Sequence, residues 1–152
     1  MYKRILVPID GSPASKRGLN DALALAKQNK AKLRLLHVVD IFIATPALAG
    51  GPYVDDVAKI LHATGSGILK KAEALVRRHR VAVDSTMSDI VGGRVADVIV
   101  AHARKWRADL IVIGTHGRSG LTRLALGSDA ERVVRASPVP VLVVRPKKSP
   151  RR

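Results

Sequence analysis

Five short strand-like runs, each separated from the next by a stretch with helical periodicity, set the strongest limit on what this chain folds into. They are Lys3–Ile9 (KRILVPI), Leu33–Val39 (LRLLHVV), Val81–Met87 (VAVDSTM), Ala108–Gly114 (ADLIVIG) and Val139–Arg145 (VPVLVVR). Near-continuous Val, Ile and Leu in most of them is the pattern of strands buried on both faces. Val81–Met87 is the least apolar and is expected nearer an edge. Between the strands, a helix is expected from Pro13 to about Gln28. Ser12 serves as its cap and Pro13 as its first position, with Leu19, Ala22, Leu23 and Ala26 on one stripe. A second runs over roughly Asp55–Arg80, and Gly65 and Gly67 are expected to kink or divide it. A third spans Arg94–Arg107, with His102 inside its apolar stripe and so partly buried; a fourth spans Ser128–Ala136, broken by Ser137-Pro138. This alternation implies an α/β fold: a single-domain, open five-stranded parallel sheet, Rossmann-like, with helices on both faces. No internal repeat or second domain is visible.

Composition narrows the function classes. Of 152 residues 47% are apolar but only 3% aromatic, so the core is aliphatic. The absence of cysteine excludes a disulfide framework and any thiolate metal site. MYKRILVPID reads as no signal peptide, and no apolar run approaches the ~20 residues that span a bilayer. A soluble, cytoplasmic protein with no membrane partner is expected. The net charge of +15 favours anionic partners. It is gathered at Arg77-Arg78-His79-Arg80 and in the closing RPKKSPRR, and residues 147–152 read as a basic disordered tail following a domain at 1–146. Either these clusters are solvated surface or they meet nucleic acid. With only Tyr2, Phe42, Tyr53 and Trp106 to stack on bases, the nucleic-acid reading is not favoured.

Beyond the fourth strand the chain reads IGTHGRSGLTRLALGS, with glycines at 114, 117, 120 and 127. Ligands of open parallel sheets bind beyond the carboxyl ends of the strands. Asp10–Ser12 follows the first strand in the same way, and the two loops share a crevice if the strand order reverses between them. Glycines permit a nest of backbone N–H groups, and Gly127-Ser128 opens a helix whose first N–H groups favour negative charge. From the residues alone, a phosphate site and a tight structural connection stand on equal footing. Neither G-x-x-x-x-G-K-[ST] nor a strand-following G-x-G-x-x-G occurs. The five histidines show no metal-binding spacing, and Ser128, His116 and Asp10 lack the elbow of a hydrolase triad.

The spacing Gly114-x2-Gly117-x9-Gly127-Ser128 resembles the G-2x-G-9x-G-[S/T] signature of the universal stress protein family. YKRILVPIDGS, LLHVVD, DLIVIGTHGRSG and SPVPVLVV resemble that family as well, so the likeness spans nearly the whole chain. The resemblance implies strand order 3-2-1-4-5 with ATP in the crevice between strands one and four. It places Pro8 and Ile9 beside the nucleotide and Asp10 near the ribose and phosphates. Val38 falls where the backbone meets the adenine. Ile113, Gly114, His116 and Gly117 fall around ribose and phosphates, and Gly127 and Ser128 at the phosphate-binding helix start. Arg118, inside the loop, either contacts phosphates or is solvated. Asp10 either holds the nucleotide through Mg²⁺ or Mn²⁺ or forms an Asx turn; with the resemblance the ligand role is preferred. Asp129 departs from the small apolar residue usual after Gly-Ser. Its backbone N–H still suits a phosphate, but its carboxylate must point away, serve the first helical turn, help hold a metal, or weaken ATP binding.

The expected function is an ATP-binding, dimeric regulatory or stress-response module with little or slow hydrolysis, since no base or Walker-type lysine is present. Strand Val139–Val144 matches the segment that pairs across a homodimer; left open, so apolar a strand would be sticky. The alternatives are an interaction protein of the same fold without nucleotide, and a basic protein associated with nucleic acid.

Overall fold

The computed structural model describes residues 1–41, 53–115 and 126–146. Five strands and four helices alternate: β1 (Arg4–Pro8), α1 (Pro13–Asn29), β2 (Lys32–Asp40), α2 (Tyr53–Arg78), β3 (Val83–Ile90), α3 (Val95–Trp106), β4 (Leu110–Gly114), α4 (Ser128–Ala136) and β5 (Val141–Val144). The sheet order is β3-β2-β1-β4-β5 and every pairing is parallel. Strand alternation splits the side chains between two cores. Ile5, Val7, Leu33, Leu35 and Val112 pack under α1 and α2. Leu6, Leu36, Ile111 and Ile113 pack against Ile99, Ala103 and Trp106 of α3 and Val133 of α4. Ile5, Leu6, Leu33, Leu35 and Ile111 are sealed from solvent, and each such side chain stabilises the fold by roughly 1.5–3 kcal/mol. No helix among the described residues is long and apolar enough to cross a membrane.

The α1 start follows the sequence closely. Ser12 is the N-cap, its Oγ accepting from the Ser15 N–H at 3.1 Å, and Pro13 occupies the first turn. The long helix departs from expectation: α2 is continuous through Gly65 and Gly67. Gly65 serves packing. A Cβ there would lie 2.5 Å from Cδ2 and 2.9 Å from Nε2 of His37 on β2. The buried His37 in turn donates from Nδ1 to the Ile9 carbonyl at 2.7 Å. Gly65→Ala is therefore expected to cost about 1–3 kcal/mol, although alanine is by itself the better helix former by about 1 kcal/mol. Urea denaturation checks this; a more stable variant would contradict the assigned contact.

Three other boundaries move for identifiable reasons. β3 lies at 83–90 rather than 81–87, paired with β2 from Leu33↔Val83 to Asp40↔Ile90. It is an edge strand, and its half-exposed polar residues carry no apolar pattern to mark its ends. β5 begins at Val141, because Ser137 Oγ folds Val139 into a turn and Pro140 has no N–H to offer. β4 begins at Leu110, because the Asp109 carboxylate is occupied by the backbone N–H groups of Lys3 (2.7 Å) and Arg4 (3.0 Å). His102 is half-buried, as its place in the stripe predicts, and meets Ser88 Oγ at 2.8 Å. Desolvation, then the Arg34 and Lys105 charges, lowers its pKa.

Candidate functional site

The site is built where the sheet parts. The β1–β2 ladder covers Arg4 to Pro8, but β1–β4 pairing runs only over Ile5↔Leu110 and Leu6↔Ile111. Past those pairs the ladder between the two strands does not continue among the described residues. This is the point where the chain order reverses, with β2 on one side of β1 and β4 on the other, the position at which α/β sheets open a ligand crevice.

On the β1 side, Pro8 and Ile9 lead into a tight turn. Asp10 Oδ1 accepts the Ser12 N–H at 2.9 Å, and Gly11 takes φ +80°, the left-handed region that favours glycine. This is the Asx turn that stood as the alternative reading of Asp10. It fixes one carboxylate oxygen and orients the group at the strand end. Buried Ser15 donates its Oγ–H to the Ser12 carbonyl, also at 3.1 Å, which knits the turn onto α1. Val38, half-buried on β2, packs with the core under α3.

On the β4 side, Ile113 is buried and Gly114 meets α1 directly. A Cβ on Gly114 would lie 2.7 Å from the Ala14 carbonyl carbon and 2.8 Å from its Cβ. That glycine lets the β1–α1 turn and the β4 end come together. The flanks of the glycine segment are joined as well, since the Gly127 N–H donates to the Thr115 carbonyl at 2.6 Å. His116, Gly117 and Arg118, with Gly120 and Arg123, lie outside the described residues.

The N-cap of α4 is Gly127, and Ser128 is the first helical residue rather than the cap. The N-cap glycine has no side chain to cap this helix, and the Glu131 N–H donates to the Gly127 carbonyl. As in any α-helix, the first-turn N–H groups have no partner within the helix, and such a terminus favours negative charge. Asp129 bridges elements instead. Its carboxylate accepts the Ala96 backbone N–H in the first turn of α3, a helix whose own N-cap, Arg94, offers no side-chain acceptor. Desolvation raises the Asp129 pKa, the Asp10 charge raises it further, and the Ala96 bond opposes both. The two carboxylates therefore share one field across the crevice.

Thr115 is the residue that sequence reasoning passed over. It is 3% exposed, and its Oγ1 has no hydrogen-bond partner among the described residues. The signal was a lone hydroxyl directly after an all-apolar strand. Among the described residues no group of three or more His, Cys, Asp or Glu is placed to hold a metal.

An open five-stranded parallel sheet in the order β3-β2-β1-β4-β5, with helices between its strands, defines a Rossmann-like α/β protein. Comparison narrows the class: the universal stress protein family profile matches residues 1–145. The universal stress protein MJ0531 of Methanocaldococcus jannaschii is 38% identical over 97% of this chain and 85% of that protein. The chain belongs to the universal stress protein family. Among solved structures, protein MJ0577 superposes with a TM-score of 0.84 at 26% identity, covering 98% of this chain and 99% of that one. A universal stress protein solved in complex with cAMP superposes at 0.65 with 28% identity, covering 96% and 98%.

Proposed function

We propose that this chain binds an adenine nucleotide, with ATP as the expected ligand, in the crevice between β1 and β4, and acts as a dimeric regulatory module rather than a dedicated enzyme. The observation that carries this reading is the early end of the β1–β4 ladder, with the Asp10 turn, Gly114 and the uncapped α4 start converging around the gap. The relative solved with cAMP supports the adenine class. In this reading the phosphates take the N–H groups of Ser128 and Asp129 together with the glycine backbone at 114–117. Asp10 supplies one oxygen ligand for a Mg²⁺ or Mn²⁺ that arrives with the nucleotide. Dimerisation uses β5, which among the described residues pairs only with β4 and exposes Leu142 at 38%. Denaturing freshly purified protein and identifying the released small molecule by chromatography tests the proposal. An adenine nucleotide in the supernatant supports it; a protein that releases none and resists loading with Mg-ATP counts against it.

Asp129 makes the affinity pH-dependent. A carboxyl whose folded pKa is raised above the ordinary 3.8 binds more protons in the folded state. Stability conferred by the protonated form is therefore present at low pH and lost as pH rises through the raised value. Nucleotide binding follows the same sign, because the ionised carboxylate repels phosphate. Asp129→Val is expected to tighten metal-free ATP binding about tenfold at neutral pH, the scale of one charge acting over several ångströms near a protein surface. It should also flatten the pH dependence above the carboxylate range. Titrations of both proteins over a pH series from the ordinary carboxylate range to neutrality check this; the same affinity and pH profile in both proteins would show that the side chain faces away from the ligand.

A further inference from the structure

We infer that the edge of the sheet where the strands begin, opposite the nucleotide crevice, is a binding surface for the phosphate backbone of duplex nucleic acid. In a parallel sheet every crossover helix ends at this edge, and here each of the first three ends in exposed basic residues. α1 closes with Lys27 and Lys30, α2 with Arg77, Arg78 and Arg80, α3 with Arg104, Lys105 and Arg107. Hydrogen bonds place these ends side by side: Lys3 Nζ reaches the Asn29 carbonyl, Lys27 Nζ lies 3.0 Å from His79 Nδ1, and Arg4 reaches the Trp106 carbonyl.

The neighbouring acids are already engaged. Glu73 is taken by Arg77 and Ser85, Asp84 by Lys32 and Arg34, and Asp109 by two backbone N–H groups. Among the described residues Lys30, Arg78, Arg80, Arg104, Lys105 and Arg107 make no ion pair. Basic residues do complement helix C-termini, but each terminus carries only about half a negative charge. The positive charge here exceeds that severalfold.

A second observation is independent of charge counting. The left-handed positions that close these helices are Lys30 (φ 52°), Arg80 (φ 57°) and Arg107 (φ 54°). Glycine is the residue such positions favour. Three times this chain carries a long cation there instead, against local backbone preference and on one edge.

The partner follows from the chemistry. Arginine forks suit phosphodiester oxygens. Trp106 is buried, with Arg34 and Arg4 over its ring at 4.8 and 5.5 Å, and half-buried Tyr2 packs against the core, so neither ring at this edge is fully open to stack unpaired bases. Duplex fits better than single strand. Strands lie about 4.8 Å apart, so the four from β3 to β4 span roughly 15 Å, a length of duplex that carries several phosphates on its near side.

The test uses the full-length chain and a fluorescein-labelled duplex of about 20 base pairs, followed by anisotropy across a salt series. The variant Lys30→Gly/Arg80→Gly/Arg107→Gly removes three charges at positions where glycine relieves strain, so its melting temperature should equal or exceed that of the unaltered chain. Its affinity should fall about tenfold or more, and its log K against log salt slope should shrink by about 2 to 3. A second full-length variant replaces Lys147, Lys148, Arg151 and Arg152 by serine and should retain the binding. Unchanged affinity and slope in the glycine variant, loss of all binding in the tail variant, or capture by phosphatidylserine vesicles but not by duplex would each overturn the inference.

Discussion

Gly114→Ala is expected to lower stability by about 3 kcal/mol, a fall of roughly 6–12 °C in melting temperature for a domain of this size. The new methyl would sit 2.7 Å from one Ala14 backbone atom and 2.9 Å from another. A helix backbone does not swing aside as the end of a side chain does, so α1 must retreat from β4 as a body. The retreat carries the Asp10–Ser15 turn with it, because Ser12 and Ser15 tie that turn to the first turn of the helix. Loss of stability and loss of nucleotide affinity should appear together. Gly18 is the control on the same helix. A Cβ there meets nothing nearer than 3.7 Å, so Gly18→Ala should be neutral or mildly stabilising through helix propensity. Thermal melts of the two variants separate the roles; equal effects would mean that close approach at Gly114 is not what its glycine serves.

Gly127→Leu should give the opposite division: an intact fold with nucleotide affinity reduced a hundredfold or more. Gly127 has φ −56° and ψ 146°, values open to any residue, so the backbone bears no strain from substitution. Its place is the uncapped mouth of α4, where the proposal has phosphate oxygens approach the main chain. A branched side chain there obstructs those N–H groups. The loss corresponds to about 2.7 kcal/mol, the scale of two charge-assisted hydrogen bonds. The two glycines of one sequence pattern are thus expected to act differently, Gly114 through packing and Gly127 through access.

That difference marks how far the sequence could be read. Strands such as Ile5–Val7 and Leu110–Ile113 announce themselves because burial on both faces leaves only aliphatic residues. The Ser12-Pro13 helix start is legible because its chemistry is local. Gly65 looked like a break because a glycine serving a long-range contact with His37 reads the same as one that ends a helix. β3 shifted because an edge strand half-exposed along its length has no periodic constraint. For the proposed site, the positions of Asp10, Gly114 and Gly127 at or just beyond strand ends and at a helix start were legible in the sequence. The bond from Asp129 to Ala96 joins residues far apart in the chain, and no local pattern encodes it.

The central claim is that main-chain N–H groups around the gap between β1 and β4 hold an adenine nucleotide. Calorimetric titration of Mg-ATP into the unaltered chain and into Gly127→Leu, run side by side, tests it most directly. The account predicts saturable binding near one nucleotide per chain in the first and none measurable in the second, with both proteins melting alike. Equal binding in the two proteins, or no heat from either one with ATP, ADP or AMP, would contradict it.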